Sequence, residues 1–179
     1  MTIDWKRFSD IIASYNTFLV TSHIRPDCDA LGSALGMALV LESLGKEVRI
    51  VTGDPVPPNL AFIDPDHRIE HLGSDVTIDE LGPLEVMMVL DTSAWAQLGP
   101  MGDVLRAKRM VKMVLDHHVS EDDLGAEYFK DTSAEATGRL VAEAVDQLGV
   151  PLTADIATPL FAAQATDTGW YRFQSTTGD

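Results

Sequence analysis

Three short stretches of the chain bring together side chains that bind cations and move protons. SHIRPDCDALGS, residues 22–33, holds His23, Asp27 and Asp29. VLDTS, residues 89–93, holds Asp91, and VLDHH, residues 114–118, holds Asp116, His117 and His118. Imidazoles and carboxylates together suit Mn2+, Fe2+, Co2+ or Zn2+, and imidazole also titrates near neutral pH. Taken singly, each stretch has an ordinary reading. An aspartate at a strand end most often caps a turn, and a histidine pair suits a solvated corner. Taken together they pose a physical problem, because clustered carboxylates raise one another's pKa. Divalent cations relieve that cost, and the set is of the kind that a pair of such ions uses.

The elements that carry these residues follow from hydrophobic pattern and punctuation. Trp5, Phe8, Ile12 and Tyr15 recur at helical spacing, which predicts an amphipathic helix over 4–14. FLVTS (18–22), EVRIVT (47–52), VMMVLD (86–91) and MVKMVLD (110–116) read as strands, the apolar runs of 86–91 and 110–116 both ending in aspartate. Helices are predicted over 30–44, closed by Gly45, over 101–109, over 132–149 and over 153–167. The 132–149 helix is expected to open on a capping box, Thr132 with Glu135, and to close at Gly149 before Pro151. Residues 60–80 read as short strands and a helical turn. Strands alternating with helices predict an α/β fold with a mostly parallel sheet. All carboxyl ends of such a sheet line one edge, where open α/β sheets bind ligands. The three chemical stretches therefore meet there, beside the amino end of the helix that follows Asp29.

Bulk properties narrow the function classes. A chain of 179 residues suits one core, so residues 1–179 are expected to form a single domain. The net charge of −15 argues against a surface that grips long nucleic acid through many phosphates, but leaves a small anionic substrate compatible. One cysteine, Cys28, rules out an internal disulfide and fits a reducing compartment. MTIDWKRFSDIIASY has no long apolar region, so no signal peptide is read. No run approaches the roughly eighteen apolar residues of a membrane span. The expectation is a soluble, cytoplasmic protein with no membrane partner.

SHIRPDCDALGS, VLDTS, VLDHH and ATDTGWYRF (165–173) resemble, in order, the four motifs of the DHH phosphoesterase superfamily. The likeness is closest to the bacterial oligoribonuclease/3′-phosphoadenosine-5′-phosphate phosphatases called nanoRNases, a RecJ-like group, and covers nearly the whole chain. The resemblance implies a Rossmann-like DHH domain with a centre for two divalent metal ions, Mn2+ being the expected metal. It implies that His23, Asp27 and Asp91 hold one ion, and that Asp29, Asp91, His117 and Asp167 hold the other. His118 would then face the substrate phosphate and Asp116 would orient the histidines, so His118, Asp116 and Asp91 are the catalytic candidates. Cys28 departs from the family's usual glycine and is expected to leave the centre intact. The implied substrate is a short oligonucleotide or a nucleotide bisphosphate, with a homodimer allowed. Relatives continue into a smaller lobe with a glycine-rich, histidine-containing motif, and no GGGH-like segment occurs in this sequence. The C-terminal substrate lobe is therefore expected to be absent from this chain. Alternatives are a cyclic dinucleotide phosphodiesterase, a family II-type pyrophosphatase, and a metal-binding module without turnover.

Other features read as ordinary. His67 and His71 are expected on the surface, RAKRMVK (106–112) as a solvated helix end, and Met87, Met88, Met110 and Met113 as strand core. The Cys28 thiol, between two carboxylates, is expected to have a raised pKa and not to act as a nucleophile.

Overall fold

The structure, a computed structural model, describes residues 3–174 and 176. Residues 1, 2, 175 and 177–179 of the expected domain lie outside them. Helix α1 (Trp5–Ser14) leads into β1 (Thr17–Thr21), α2 (Cys28–Ser43), β2 (Glu47–Thr52) and β3 (Ile69–His71). Then come β4 (Val86–Leu90), α3 (Trp95–Leu98), α4 (Met101–Ala107), β5 (Val111–Asp116), β6 (Glu127–Lys130), α5 (Thr137–Gln147) and α6 (Ala154–Asp167). Short 3-10 turns at Pro58–Ile63 and Asp79–Leu81 flank β3, matching the mixed reading of residues 60–80.

The strands form one six-stranded sheet in the order β3-β2-β1-β4-β5-β6, every pairing parallel. The α/β fold is as the alternation of elements predicts. Strand side chains alternate between the faces of the sheet, and both faces are covered. Val86, Met88 and Leu90 of β4 pack with Phe8, Leu31, Leu41 and Leu140, while Met87 and Val89 pack with Leu98, Met101, Val104 and Leu105. Burial on both faces explains why these strands are continuous apolar runs. The order reverses direction between β1 and β4, so the loops leaving these neighbours diverge and open a crevice at their carboxyl ends. His23 and Asp91 sit on those two loops.

Small residues let three helices close over that edge. A Cβ on Gly32 of α2 would lie 2.4 Å from the Pro159 carbonyl oxygen of α6, and one on Gly138 of α5 would lie 2.7 Å from the Ala163 Cβ. This close approach brings the amino ends of α2 and α5 and the carboxyl end of α6 together, with Asp29, Thr137 and Asp167 at their tips.

Several local expectations need correction. Helix α5 begins at Thr137, not 132, and Ala136 in the capping position makes no side-chain cap. The Asp131 carboxylate accepts from the Ser133 amide at 2.9 Å and its hydroxyl at 2.6 Å, which folds 131–134 into a turn. Glu135 pairs with Arg139 at 2.9 Å instead of reaching back to Thr132. The free amides at the start of α5 are satisfied from far away in sequence, by Asp29. Helix α2 starts at Cys28, earlier than expected, because Asp27 is its cap and accepts from the Ala30 amide at 3.0 Å. Strand β6 and helix α3 carry no strong periodic signal and were not anticipated. Phe129 of β6 packs edge-on against Phe8 at 5.1 Å, and Glu127 is clasped by Arg7 at 2.7 and 2.5 Å. Met110 precedes β5 and is only half-buried. No helix among the described residues is long and apolar enough to cross a membrane.

Candidate metal centre

Asp91 is the hub of the strand-end cluster. It follows β4 with a left-handed backbone, φ +63°, a conformation aspartate tolerates better than most residues, and its amide donates to the Leu115 carbonyl at 3.1 Å. Its carboxylate is almost fully buried. Oδ2 lies 3.3 Å from His23 Nε2, while Oδ1 lies 3.5 Å from His117 Nε2 and accepts the Thr137 hydroxyl at 2.9 Å. Each oxygen thus faces a different imidazole, the arrangement a bridging carboxylate needs.

Both imidazoles are oriented by main-chain carbonyls. His23 Nδ1 lies 2.9 Å from the Ile24 oxygen, and His117 Nδ1 lies 3.2 Å from the Ala134 oxygen. A carbonyl only accepts, so Nδ1 carries the hydrogen and Nε2 of the neutral ring keeps its lone pair for a cation. His23 Nε2 and one oxygen each from Asp27 and Asp91 lie within 4.8 Å of one another, and so do atoms of Asp29, His117 and Asp167. Asp91, His117 and His118 form a third such group. The structure thus gathers His23, Asp27, Asp29, Asp91, His117 and Asp167 at one edge, with His117 Nε2 3.9 Å from Asp29 and 3.7 Å from Asp167. The donor chemistry and the ring orientations fit divalent cations.

Asp29 has a second task that its position in sequence does not disclose. Its Oδ1 accepts from the Gly138 amide at 2.8 Å and the Ser33 hydroxyl at 3.1 Å, and Oδ2 accepts from the Thr137 amide at 2.8 Å. Each carboxylate oxygen accepts about two such bonds, so Oδ1 is filled and Oδ2 keeps one direction open toward His117. Asp29 is therefore both the distant cap of α5 and a ligand candidate. The partly positive end of α5 offsets some of the cluster's negative charge.

His118 and Asp116 stand apart from that set. Asp116 is fully buried; Oδ1 accepts from His118 Nδ1 at 2.8 Å and from the His118 amide at 3.1 Å, and Oδ2 accepts the Ser93 hydroxyl at 2.7 Å. Burial pushes the Asp116 carboxyl up, but these bonds outweigh it and hold the group below its usual range. With Nδ1–H fixed on Asp116, His118 Nε2 is the free nitrogen, on a ring whose side chain is 44% exposed. Thr137, Ser93 and Lys130 escaped the sequence reading, because no local pattern links them to residues they meet across the sheet.

The electrostatics describe a site short of positive charge. Burial and the neighbouring Asp29 charge raise the Asp91 pKa well above the usual carboxylate value. Burial and Asp29 also raise that of Asp167. For His23, burial alone would lower the pKa, but the hydrogen bond and charge of Asp91, with Asp27, hold it at about 9. Without a cation the His23 ring keeps its second proton. Metal must displace it, so Mn2+ affinity is expected to rise between about pH 6 and pH 8, by up to about tenfold per unit for the proton released. Calorimetric Mn2+ titrations at those pH values check this, and a flat profile would sink it. Cys28 is buried, and burial is the leading cause of its raised thiol pKa, ahead of the two flanking carboxylates. His67 is exposed and His71 half-buried, and neither joins the cluster. A groove of about 410 Å³ between α2, the 58–63 turn and α6 contains none of the candidate ligands.

Comparison with known proteins matches the chain to one family. The sequence profile of the DHH family, N-terminal domain, matches residues 17–164. The bifunctional oligoribonuclease and PAP phosphatase NrnA of Thermus thermophilus is 33% identical over 164 residues, covering 88% of this chain and 45% of that protein. Its Bacillus subtilis counterpart is 28% identical over 169 residues, covering 93% and 50%. The chain thus spans about half the length of these relatives. Among solved structures, an exopolyphosphatase-related protein from Bacteroides fragilis superposes with a TM-score of 0.89 at 22% identity, over 97% of this chain and 52% of that one. RecJ from Thermus thermophilus in complex with Mn2+ superposes at 0.54 and 14% identity, over 94% and 24%. At these identities the structural likeness speaks for the fold alone.

Proposed function

The chain belongs to the DHH family, and from that premise we propose that it is the metal-dependent hydrolytic domain of a phosphoesterase acting on short oligonucleotides or 3′-phosphoadenosine-5′-phosphate. The observation that carries the reading is Asp91, whose oxygens face His23 and His117 separately while Asp27, Asp29 and Asp167 surround them. In this reading His23, Asp27 and Asp91 hold one divalent ion, and Asp29, Asp91, His117 and Asp167 hold another. The mixture of imidazole and carboxylate favours Mn2+ or a similar ion over Mg2+, which prefers oxygen alone. The oligoribonuclease and PAP phosphatase names of the relatives support the choice of substrate. When bound, such ions polarise the phosphoryl oxygens and lower the pKa of an attacking water.

The chain's own groups do the rest. Thr137 and the Ile24 and Ala134 carbonyls hold the ligands in place before metal arrives, which limits reorganisation at the centre. His118 presents Nε2 toward the solvent side; its hydrogen bond to Asp116 raises the ring's pKa and favours the imidazolium, whose Nε2–H can donate to a phosphate oxygen or to the leaving oxygen. Asp116 keeps the Nδ1 proton in place throughout.

The DHH domain is proposed to supply hydrolysis, while substrate grip comes from a further lobe. The charge of −15 offers little basic surface to bind a substrate phosphate in its place. The test is a Mn2+ assay of a dinucleotide, adenosine 3′,5′-bisphosphate, a cyclic dinucleotide and pyrophosphate, run beside the longer Thermus relative. The first two substrates are expected to turn over, with kcat/KM well below that of the relative. Preference for pyrophosphate or the cyclic dinucleotide would overturn the substrate assignment. Efficient turnover equal to the relative's would show that this domain carries its own binding site.

A further inference from the structure

Lys130 lies on β6, directly opposite Asp116 in the β5–β6 register, and its side chain is only 10% exposed. An ammonium so deeply placed must find acceptors for its three hydrogens. It finds the Ser93 hydroxyl oxygen at 2.7 Å, the Ser120 carbonyl at 2.8 Å and Asp116 Oδ2 at 3.3 Å, with Glu121 at 3.4 Å. These partners bracket His118: Asp116 stands two residues before it and Ser120 two residues after. Between them His117 turns inward, while His118 is exposed by 44% of its side chain and Val119 by 86%. Ser93, which donates to Asp116 Oδ2, is held by the same ammonium. Lys130 and Ser93 occupy one carboxylate oxygen of Asp116, so the other is left to His118 Nδ1.

We propose that Lys130 is a positioning residue that clamps both ends of the 117–119 turn and, through Asp116, fixes the His118 ring with Nε2 facing the substrate. This rests on the role given to His118 above. None of Lys130's hydrogen-bond and ion-pair partners is a candidate metal ligand, and His117 inside the turn keeps its own anchor on the Ala134 carbonyl at 3.2 Å, so Lys130 acts on the orientation of His118 and not on metal capture. The loop beyond keeps anchors of its own, since the Asp122 amide donates to the Ser93 carbonyl at 2.8 Å and the Trp95 amide to Asp122 at 2.8 Å.

The experiment compares wild type, Lys130→Met, His118→Ala and the double variant. Lys130→Met is expected to bind Mn2+ as wild type does and to lose kcat roughly 10–100-fold, as loss of an orienting partner does. On the His118→Ala background the same change is expected to cost nothing further. Independently of activity, nitrogen NMR of the metal-free chain, recorded at a pH high enough for the His118 ring to be neutral, is expected to show His118 as a single Nδ1–H tautomer in wild type and as a mixture in Lys130→Met. An unchanged His118 spectrum in Lys130→Met, or a full further loss in the double variant, would overturn the proposal. Should the wild-type chain hydrolyse none of the substrates, the functional reading fails and the NMR comparison alone decides the role of Lys130. Should Lys130→Met not fold, Lys130→Arg decides by the same spectrum. Its planar guanidinium cannot meet Asp116, Ser93 and Ser120 together, so it too is expected to release the tautomer.

Discussion

Asp91→Asn is expected to abolish Mn2+-dependent hydrolysis, by three orders of magnitude or more, roughly 4 kcal/mol of barrier at 1.36 kcal/mol per decade. Asparagine is the informative replacement. It keeps the left-handed backbone at φ +63° accessible and leaves an oxygen for the Thr137 hydroxyl, so the loop stays in place. What it removes is the charge shared between His23 and His117. Without metal, that charge is a burden: burial and Asp29 already push the Asp91 carboxyl toward its neutral form. The metal-free variant is therefore expected to melt no lower than wild type, while the rise in Tm on adding Mn2+ disappears. Cys28→Gly is the control, because Cys28 only begins α2 and offers no ligand to the cluster. Calorimetry with and without Mn2+, together with dinucleotide turnover, checks both halves. Near-normal turnover by Asp91→Asn would exclude a bridging role.

Gly32→Ala is expected to destabilise the fold by roughly 2 kcal/mol or more, even though it replaces glycine inside a helix. Helix propensity alone would favour alanine by about 1 kcal/mol. Against it stands a backbone oxygen, that of Pro159, 2.4 Å from the new methyl, with the Ala163 Cβ at 3.0 Å. A carbonyl in a helix cannot rotate away, so α6 must move as a body, and such overpacking costs about 1–3 kcal/mol or more. Since α6 ends in Asp167, its displacement should also weaken Mn2+ binding. Gly36→Ala is the graded control: its methyl would meet the Leu160 Cδ2 at 2.4 Å, but a leucine side chain can turn. Thermal unfolding is expected to show Tm falling by roughly 4–8 °C for Gly32→Ala, with a smaller fall for Gly36→Ala. A Gly32→Ala chain as stable as wild type would mean that α2 and α6 are not held this tightly.

The layers, the direction of the strands and the place where chemistry could occur are legible in the residues alone. Apolar runs such as VMMVLD could only be strands covered on both faces, and helices between strands require parallel pairing. Parallel pairing then sends every strand end, with His23, Asp91 and His117, to one edge. These are consequences of period and connection, which are local properties of a chain. What is not local comes from packing across the folded chain. The amides of α5 are capped by Asp29, which precedes Thr137 by 108 residues, so the Thr132–Glu135 pattern gave the wrong start for that helix. The short strand β6 has little hydrophobic signal and exists because Phe8 and Arg7 of α1 cover it. Lys130 reads as an ordinary surface lysine until the β5–β6 register sets it against Asp116. Hydrogen bonds and ion pairs of this kind depend on distance in space to within an ångström, and no spacing along the chain encodes that distance.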